Sequence, residues 1–276
     1  MEPLNYEKRG YLNEDFRLFH LADSRTEAIA YHYHNFHKII LLLAGRASYA
    51  IEGERYELTP GDYVLVGRGS IHRPEVEPGA FYERMILYIS PEYLARLRTD
   101  KCDPEHCFRQ AQADFHYVFR ADEAIKALFL QLDEAWRQDD FGADLLRQAL
   151  FLQLLVQVNR AAASPHYIPA SDGDQKIIAL LQYLNLHLTE NLSIDELAAR
   201  FYISKYYMMR RFKEETGYTI HNYITEKRLL LAQQKLQQGI SLGEVCYLSG
   251  YQDYSTFSRA YKKRFGCVPS ARALRR

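Results

Sequence analysis

The sequence predicts an α+β protein, with a small antiparallel β-barrel and trailing helices on the N-terminal side and an all-α domain on the C-terminal side. Three observations predict this class. Short apolar runs alternate with glycines across residues 28–90, helical periodicity starts at Ala121, and the net charge changes sign near residue 173. We expect one domain over 1–160, a linker over 161–173 and a second domain over 174–276, because 276 residues suffice for two ordinary domains.

The composition is that of a globular protein, with 47% hydrophobic and 25% charged residues. The sequence holds no run of 18 apolar residues, so we expect no membrane span. The start of the chain, Met1 to Tyr6, is polar and acidic and does not resemble a secretory signal. Because the four cysteines form no CxxC pair, we expect a reducing, cytoplasmic setting.

Short runs rich in β-branched and aromatic residues predict the strands of the barrel. The four predicted strands are Lys38–Ala44, Ala47–Ile51, Tyr63–Val66 and Phe81–Ile89. Glycines at eight-residue intervals supply the turns, namely Gly45, Gly53, Gly61 and Gly69. Strands this short and evenly spaced favour a small antiparallel barrel or sandwich.

Two amphipathic helices are predicted after the strands. The first has apolar residues at helical spacing from Ile125 to Trp136, and the second from Leu145 to Val156, with a break at Phe141 and Gly142. These helices either cover the barrel or pair with another subunit, and the apolar second helix favours a homodimer. The linker follows, with two prolines, a glycine and small polar residues.

The C-terminal domain is predicted to contain two similar helical pairs. Each pair is a short helix, a tight turn and a longer helix, which is the helix-turn-helix arrangement. Ser193 with Glu196 and Ser241 with Glu244 form capping-box patterns at the start of the two short helices. The longer helices are predicted to begin at Ser204 and at Ser255. The apolar residues expected to pack the pairs are Leu197, Ala198, Phe201, Ile203, Met208 and Phe212 in the first, and Val245, Cys246, Leu248, Phe257 and Tyr261 in the second.

The two parts of the chain carry opposite charge. Residues 174–276 contain 16 Lys and Arg against nine Asp and Glu, a net charge of +7. Residues 1–173 contain 19 Lys and Arg against 26 Asp and Glu, a net charge of −7. A basic domain of this kind favours a polyanionic partner, and double-stranded DNA is the partner that two helix-turn-helix units indicate.

The solvent side of each longer helix combines arginine, lysine and small polar groups. The candidate DNA-binding residues are Lys205, Tyr206, Met209, Arg210 and Lys213 in the first copy, and Tyr254, Ser255, Ser258, Arg259, Lys262 and Lys263 in the second. Arg210 and Arg259 can each form a bidentate contact with a guanine edge. The lysines lie farther along the helices, where phosphates are expected. Two alternatives to DNA binding remain. These helix faces are ordinary solvated surface, or the domain is a helical module that binds another protein and has no affinity for DNA.

The helix predicted over Thr219–Gln238 separates the two units. At about 1.5 Å per residue it is roughly 30 Å long. Successive major grooves on one face of DNA lie about 34 Å apart. A spacer of this length lets one chain fill two adjacent grooves.

Residues 174–276 resemble the DNA-binding domain of AraC-type transcription regulators. The strongest similarity is the segment from Gly250 to Gly266 followed by Pro269, in which Tyr251 and Tyr261 stand where phenylalanine is usual. The segment 204–213 resembles the first recognition helix of the family. The resemblance assigns base reading to Tyr206, Met209 and Arg210 in one groove and to Ser255, Ser258 and Arg259 in the next. Arg211 and the pair Arg272-Ala273 depart from the family pattern.

The N-terminal half resembles cupins, which are small β-barrels. His32, His34, Lys38 and Gly45 match the spacing of the first cupin motif, and Gly61 to His72 match the second. Metal-binding cupins use two histidines, a glutamate and a later histidine, so His32, His34 and His72 could supply three imidazole ligands. Lys38 takes the place of the glutamate, and its ammonium would repel a cation. We therefore expect no metal and no other cofactor.

In AraC-type regulators such a half usually binds a small effector and mediates dimerisation. The candidate effector-binding residues are His32, His34, Tyr49, His72 and Arg84. Tyrosine and arginine suit hydroxyl-rich or carboxylate ligands, and a sugar is the favoured effector. The resemblance favours an activator that works with RNA polymerase. The alternative is a cupin enzyme, an isomerase or a dioxygenase, with a helical appendage. Cys102, His106 and Cys107 form a weaker candidate metal cluster.

Overall fold

The computed structural model describes residues 12–24, 29–163, 167–171 and 173–273, and the side chains of Arg272 and Ala273 are outside the description. The chain divides into two compact units, Met1–Asp172 and Gly173–Arg276. The N-terminal segment 1–6, positions 164–166 and 172 of the predicted linker, and the departure at Arg272-Ala273 therefore lie outside the described residues.

The first unit is built on two antiparallel sheets, which confirms the predicted sheet-rich fold. One sheet has the order β1-β7-β2-β5-β8 and the other the order β4-β3-β6. The strands are β1 (Phe16–Ser24), β2 (His37–Ala44), β3 (Ala47–Ile51), β4 (Glu54–Leu58), β5 (Asp62–Val66), β6 (His72–Glu75), β7 (Phe81–Ile89) and β8 (Val118–Arg120). Residues of both sheets, such as Ile40 and Tyr49, belong to one buried core.

All four predicted strands are present within a residue of their expected bounds, and four others were missed. The four missed strands, β1, β4, β6 and β8, all lie at sheet edges. Strands β4 and β6 are short and mostly polar, so they lack an apolar run. Strand β6 also contains Pro74, which an edge strand tolerates but which lowers the strand signal of the sequence.

Four helices accompany the sheets. They are α1 (Pro91–Leu97), α2 (His106–Asp114), α3 (Glu123–Arg137) and α4 (Ala143–Ala162). Helices α3 and α4 lie where two helices were predicted, and α3 is amphipathic as expected, whereas α1 and α2 were not predicted. Helix α4 continues to Ala162, two residues into the predicted linker. The four Phe and Tyr residues between positions 108 and 119 lie in the core, namely Phe108, Phe115, Tyr117 and Phe119.

Helix α4 has two apolar faces rather than one. Phe151, Leu154 and Val158 are fully buried against the unit, while Leu145 is 68% exposed. The expectation of a single face from Leu145 to Val156 was therefore wrong, since Leu155 is buried and Val156 is exposed. The outer side carries an apolar stripe formed by Leu145, Ala149, Leu152 and Val156, of which Leu152 is half-buried against the core of the unit.

His20 of strand β1 contacts two carboxylates, one on helix α3 and one on the neighbouring strand β7. Its Nδ1 lies 2.9 Å from Asp133 Oδ2, and its Nε2 lies 2.9 Å from Glu83 Oε1. Arg137 reaches the same place, with NH2 2.5 Å from Asp133 Oδ2 and 3.4 Å from His20 Nδ1. Burial alone would lower the pKa of His20, but the hydrogen bonds to Asp133 and Glu83 raise it above its ordinary value.

Replacing His20 with glutamine is expected to destabilise the first unit more at about pH 5.5 than at about pH 8.5. A histidine whose folded pKa is raised contributes its stability below the unfolded pKa and loses it as the pH rises through the folded value. The difference should reach up to about 1 kcal/mol, as for a partly exposed ion pair. Urea unfolding followed by the fluorescence of Trp136, the only tryptophan, measures it. An equal loss at both pH values would show that His20 acts as a neutral group.

The second unit is all helical. Its helices are α5 (Gln175–Leu186), α6 (Ile194–Arg200), α7 (Lys205–Thr216), α8 (Ile220–Gln237), α9 (Leu242–Leu248), α10 (Tyr254–Phe265) and α11 (Pro269–Ala273). Ser193 and Ser241 cap α6 and α9, and Ser241 forms a full capping box with Glu244. Helices α7 and α10 end at Gly217 and Gly266, both in the left-handed conformation.

The start of α10 differs from the prediction. The helix begins at Tyr254, not at Ser255, because Asp253 accepts a hydrogen bond from the Thr256 N–H and caps the helix. Pro269 begins α11, since the first turn of a helix needs no N–H from proline. None of the helices in the described part of the chain is long and apolar enough to span a bilayer.

Candidate functional site

The first helical pair, α6 and α7, is held by a small apolar core. Leu197 and Ala198 of α6 are buried, as are Met208 and Phe212 of α7. The turn between them is tight, with the Ile203 N–H donating to the Ala198 carbonyl at 3.1 Å. The small side chain of Ala198 permits this close approach of the two helices.

The second pair, α9 and α10, has an equivalent core. Val245 and Cys246 of α9 are buried together with Phe257 and Tyr261 of α10. Gly250 makes the turn with a φ of +81°, and a Cβ there would lie 2.8 Å from Thr189 Cα. The prediction that Leu248 packs in this core was wrong, because α9 ends there and its side chain is 46% exposed.

The candidate base-reading side chains of α7 lie on its solvent face. Tyr206 is 72% exposed, Met209 is 47% exposed, and Lys205, Arg210 and Lys213 are exposed as well. Lys205 pairs with Asp195, and Arg210 Nε lies 3.5 Å from Glu214 Oε1. Surface ion pairs of this kind are worth little and can be exchanged for contacts with a ligand.

Helix α10 presents a comparable face. Tyr254, Ser255, Arg259, Lys262 and Lys263 are exposed, and only Ser258 is half-buried. The Arg259 Nε donates to the carbonyl of Ser255 at 3.3 Å, which holds the guanidinium near the start of the helix. Thus all eleven candidate DNA-binding residues lie on the two second helices of the pairs, and ten of them are exposed.

Arg211 departs from the family pattern because it serves as a structural ion-pair centre. Its guanidinium lies 2.7 Å from Glu214, 2.6 Å from Glu215 and 3.5 Å from Asp174. The hydrogen bond that Arg211 donates to Glu214, followed by the charge of Glu215 and the hydrogen bond to Asp174, raises the pKa of Arg211. Asp174 caps α5, so this arginine ties α7 to α5 instead of filling an apolar site.

Helix α8 joins the two pairs and shares their packing. It has 18 residues, which corresponds to about 27 Å. Phe212 of α7 packs edge-on against Tyr223 of α8, and Leu229 and Ala232 of α8 belong to the core of the second pair. Near the C-terminal end of α10, Arg264 Nε donates to the buried Glu226 Oε1 of α8 at 2.5 Å.

In the first unit, three of the candidate effector-binding residues form one buried cluster. The side chains of His32, His34 and His72 are at least 95% buried, and their potential ligand atoms lie within 4.8 Å of one another. Tyr49 stacks on His72 with the ring centroids 5.9 Å apart. Among the described residues these histidines are the only group of three with metal-ligand spacing, so Cys102, His106 and Cys107 do not form the alternative cluster.

Lys38 lies beside this cluster, and sequence reasoning understated how close it is. Its Nζ is 3.2 Å from His34 Nε2 and 3.3 Å from His72 Nε2. Burial lowers the pKa of Lys38 to about 7. Burial, followed by the charge of Lys38, also lowers the pKa of His72 well below its ordinary value, so His72 is a neutral imidazole.

Arg84, the fifth candidate, is buried but already paired. Its NH1 lies 2.9 Å from Asp23 Oδ1, and its NH2 donates to Asp23 Oδ2 at 2.9 Å. NH1 also donates to the carbonyl of Tyr82. An effector would therefore meet an arginine that is held in place by a carboxylate rather than an unpaired charge.

The two units match separate sequence families. Residues 197–274 match the description "Helix-turn-helix domain". Residues 18–155, half of the chain, match "AraC-like ligand binding domain". The chain belongs to the AraC family. This AraC-family member is a transcription regulator with an N-terminal ligand-binding domain, and its family is one of regulators rather than enzymes.

Relatives of this AraC-family chain share its length. The HTH-type transcriptional activator RhaS of Escherichia coli O6:H1 is 24% identical over 242 residues, which cover 86% of this chain and 85% of the relative. RhaS of Citrobacter koseri is 26% identical over the same span. Among solved structures, fatty-acid-bound ToxT of Vibrio cholerae is 14% identical, with a TM-score of 0.40 and coverage of 96% of this chain and 97% of ToxT.

Proposed function

We propose that this AraC-family regulator activates transcription by binding a two-groove DNA site, under the control of a small effector held in the first unit. The observation that carries the proposal is the repeated geometry of the second unit. Two helical pairs share α8, and each exposes an arginine near the start of its second helix. The starting turns of such helices are the parts that enter the major groove.

We assign base reading to Tyr206, Met209 and Arg210 in one groove and to Ser255, Ser258 and Arg259 in the next. The remaining cations of the two faces, Lys205, Lys213, Lys262 and Lys263, are assigned to phosphates, with Tyr254 at the edge of the second face. Arginine forms two parallel hydrogen bonds with guanine, whereas lysine attracts phosphate without reading sequence.

Replacing Arg210 or Arg259 with alanine is expected to cost about 1–3 kcal/mol of binding on the proper site and to relax the base preference at one position. The matched control is Lys213→Ala, which should weaken binding to all sequences alike and reduce the salt slope by about one. Selection of genomic fragments followed by gel shifts at two salt concentrations measures both effects. An equal loss on random DNA for the arginine variants would refute base reading.

For the effector we propose a sugar bound by His32, His34, Tyr49, His72 and Arg84. Sugar hydroxyls both donate and accept hydrogen bonds, and this group of side chains offers phenolic, guanidinium and imidazole partners of both kinds. A panel of neutral monosaccharides, added to the protein on its selected DNA site, tests the proposal. A sugar that changes DNA affinity supports it, and a response only to other chemical classes contradicts it.

We also propose that the regulator is a homodimer joined through the outer face of α4. The stripe Leu145, Ala149, Leu152 and Val156 has the alternating four-three-four spacing of a coiled-coil seam. Phe141, beside the start of α4, is fully exposed and extends this apolar surface. Sedimentation of the wild type and of Leu145→Glu should give a dimer and a monomer, and two monomers would contradict the proposal.

The role as an activator rests on the relatives, two of which carry the name transcriptional activator. We therefore propose contact with RNA polymerase in the cytoplasm. Transcription from the selected site with purified polymerase tests this role. Increased transcript with the protein present supports activation, and reduced transcript supports repression instead.

A further inference from the structure

The histidine cluster of the first unit presents lone pairs rather than protons to its centre. His72 Nδ1 lies 2.9 Å from the carbonyl oxygen of Ser70, and His32 Nδ1 lies 2.8 Å from that of Ala30. Because a carbonyl oxygen only accepts, each Nδ1 carries the ring proton. Nε2 is then the unprotonated nitrogen of both rings.

This arrangement is the one that metal-bound histidines adopt, with one nitrogen anchored on a carbonyl and the other available as a ligand. The donor set is therefore chemically suited to a divalent transition metal, which prefers three imidazoles at about 2.0–2.1 Å. However, the amino group of Lys38 lies next to two of these nitrogens. Its Nζ lies 3.2 Å from His34 Nε2 and 3.3 Å from His72 Nε2.

Lys38 is the hydrogen-bond donor toward His72, because the unprotonated Nε2 of that ring only accepts. The contact of Lys38 Nζ with His34 Nε2 at 3.2 Å has the length of a second hydrogen bond. Lys38 Nζ also lies 5.6 Å from the centroid of the Tyr88 ring.

We propose that the Lys38 amino group takes the place of the metal ion in this site. It lies where a metal-binding cupin would hold a divalent ion and contacts the Nε2 atoms of two of the three imidazoles, those of His34 and His72. The regulator therefore needs no metal, and the three imidazoles bind a divalent transition-metal ion only when the lysine amino group is removed. This inference concerns the first unit and does not depend on the proposed role in DNA binding.

The test is metal binding by the full chain without an affinity tag, with Co²⁺ and Zn²⁺ as probes. Lys38→Ala removes the amino group, and Lys38→Glu replaces it with a carboxylate ligand. Each variant is expected to bind one ion per chain about 100-fold or more tightly than the wild type, and Co²⁺ should show the visible absorption of a tetrahedral nitrogen site. The fluorescence of Trp136 verifies that the first unit of each variant is folded.

The matched control is the double variant Lys38→Ala with His72→Ala, which should lose the gained ion because one imidazole is missing. A wild type that binds one ion as tightly as the variants would overturn the proposal, as would folded variants that bind none. If neither variant folds, the isotope-labelled Nζ of Lys38 in the wild type decides. Correlations across hydrogen bonds to two imidazole nitrogens support the proposal, and a rapidly exchanging Nζ without them overturns it.

Discussion

Replacing Glu226 with alanine is expected to destabilise the second unit by about 1–3 kcal/mol, the usual cost of losing a buried hydrogen bond to a charged group. Glu226 is 5% exposed and accepts a hydrogen bond from Arg264 Nε at 2.5 Å, and burial raises the pKa of Glu226 to about 7. The pair links the spacer helix α8 to α10, so its loss should also loosen the second DNA-reading helix. Urea unfolding followed by helical circular dichroism measures the effect.

The control for this prediction is a variant that removes both charges, Glu226→Met with Arg264→Met. Apolar replacement of a whole buried ion pair is often neutral or stabilising, so the double variant should be more stable than Glu226→Ala. If Glu226→Ala costs less than about 1 kcal/mol, as an exposed ion pair would, the carboxylate is not an essential partner of Arg264.

Replacing Gly45 with alanine is expected to cost the first unit about 3–5 kcal/mol, from two sources that add. Gly45 follows β2 with a φ of +89°, a conformation that strains any residue with a side chain. An added Cβ would also overlap the carbonyl oxygen of Phe81, which belongs to the backbone of β7 and cannot rotate away. The strand itself would have to move.

The matched control is Gly79→Ala. Gly79 has a similar φ of +81°, but an added Cβ there meets nothing within 4 Å. It should therefore show the conformational cost alone, about 1–2 kcal/mol. Trp136 fluorescence during urea unfolding measures both variants. Equal losses would mean that the close approach to Phe81 contributes nothing.

The sequence was most informative where periodicity and turn chemistry agree. Helices α7 and α8 could be placed because Ser204, Thr219 and Gly217 mark their ends, and the strands β2 and β7 because their apolar runs are long. Strand β6 could not be placed, since a four-residue strand with Pro74 has no periodicity to detect. Asp253 was overlooked as the cap of α10 although aspartate is a favoured capping residue.

In the candidate sites, too, some features could be predicted from the sequence and others could not. The exposure of Arg210 and Arg259 follows from helical spacing, which also buries Met208 and Phe257 on the opposite face. The cupin resemblance predicted that Lys38 lies beside the histidines, but its two contacts, with His34 and His72, depend on a fold that brings together residues 38 positions apart in sequence. The ion pair between Glu226 and Arg264 depends on helix packing in the same way.

The central claim is that α7 and α10 enter consecutive major grooves on one face of the DNA. Methylation protection on the selected site, with the wild type and with Arg210→Ala and Arg259→Ala, tests it most directly. We expect two patches of protected guanines centred about 10 base pairs apart, with each variant losing one patch and keeping the other. A single patch, two patches about half a turn apart, or loss of both patches in each variant would contradict the claim.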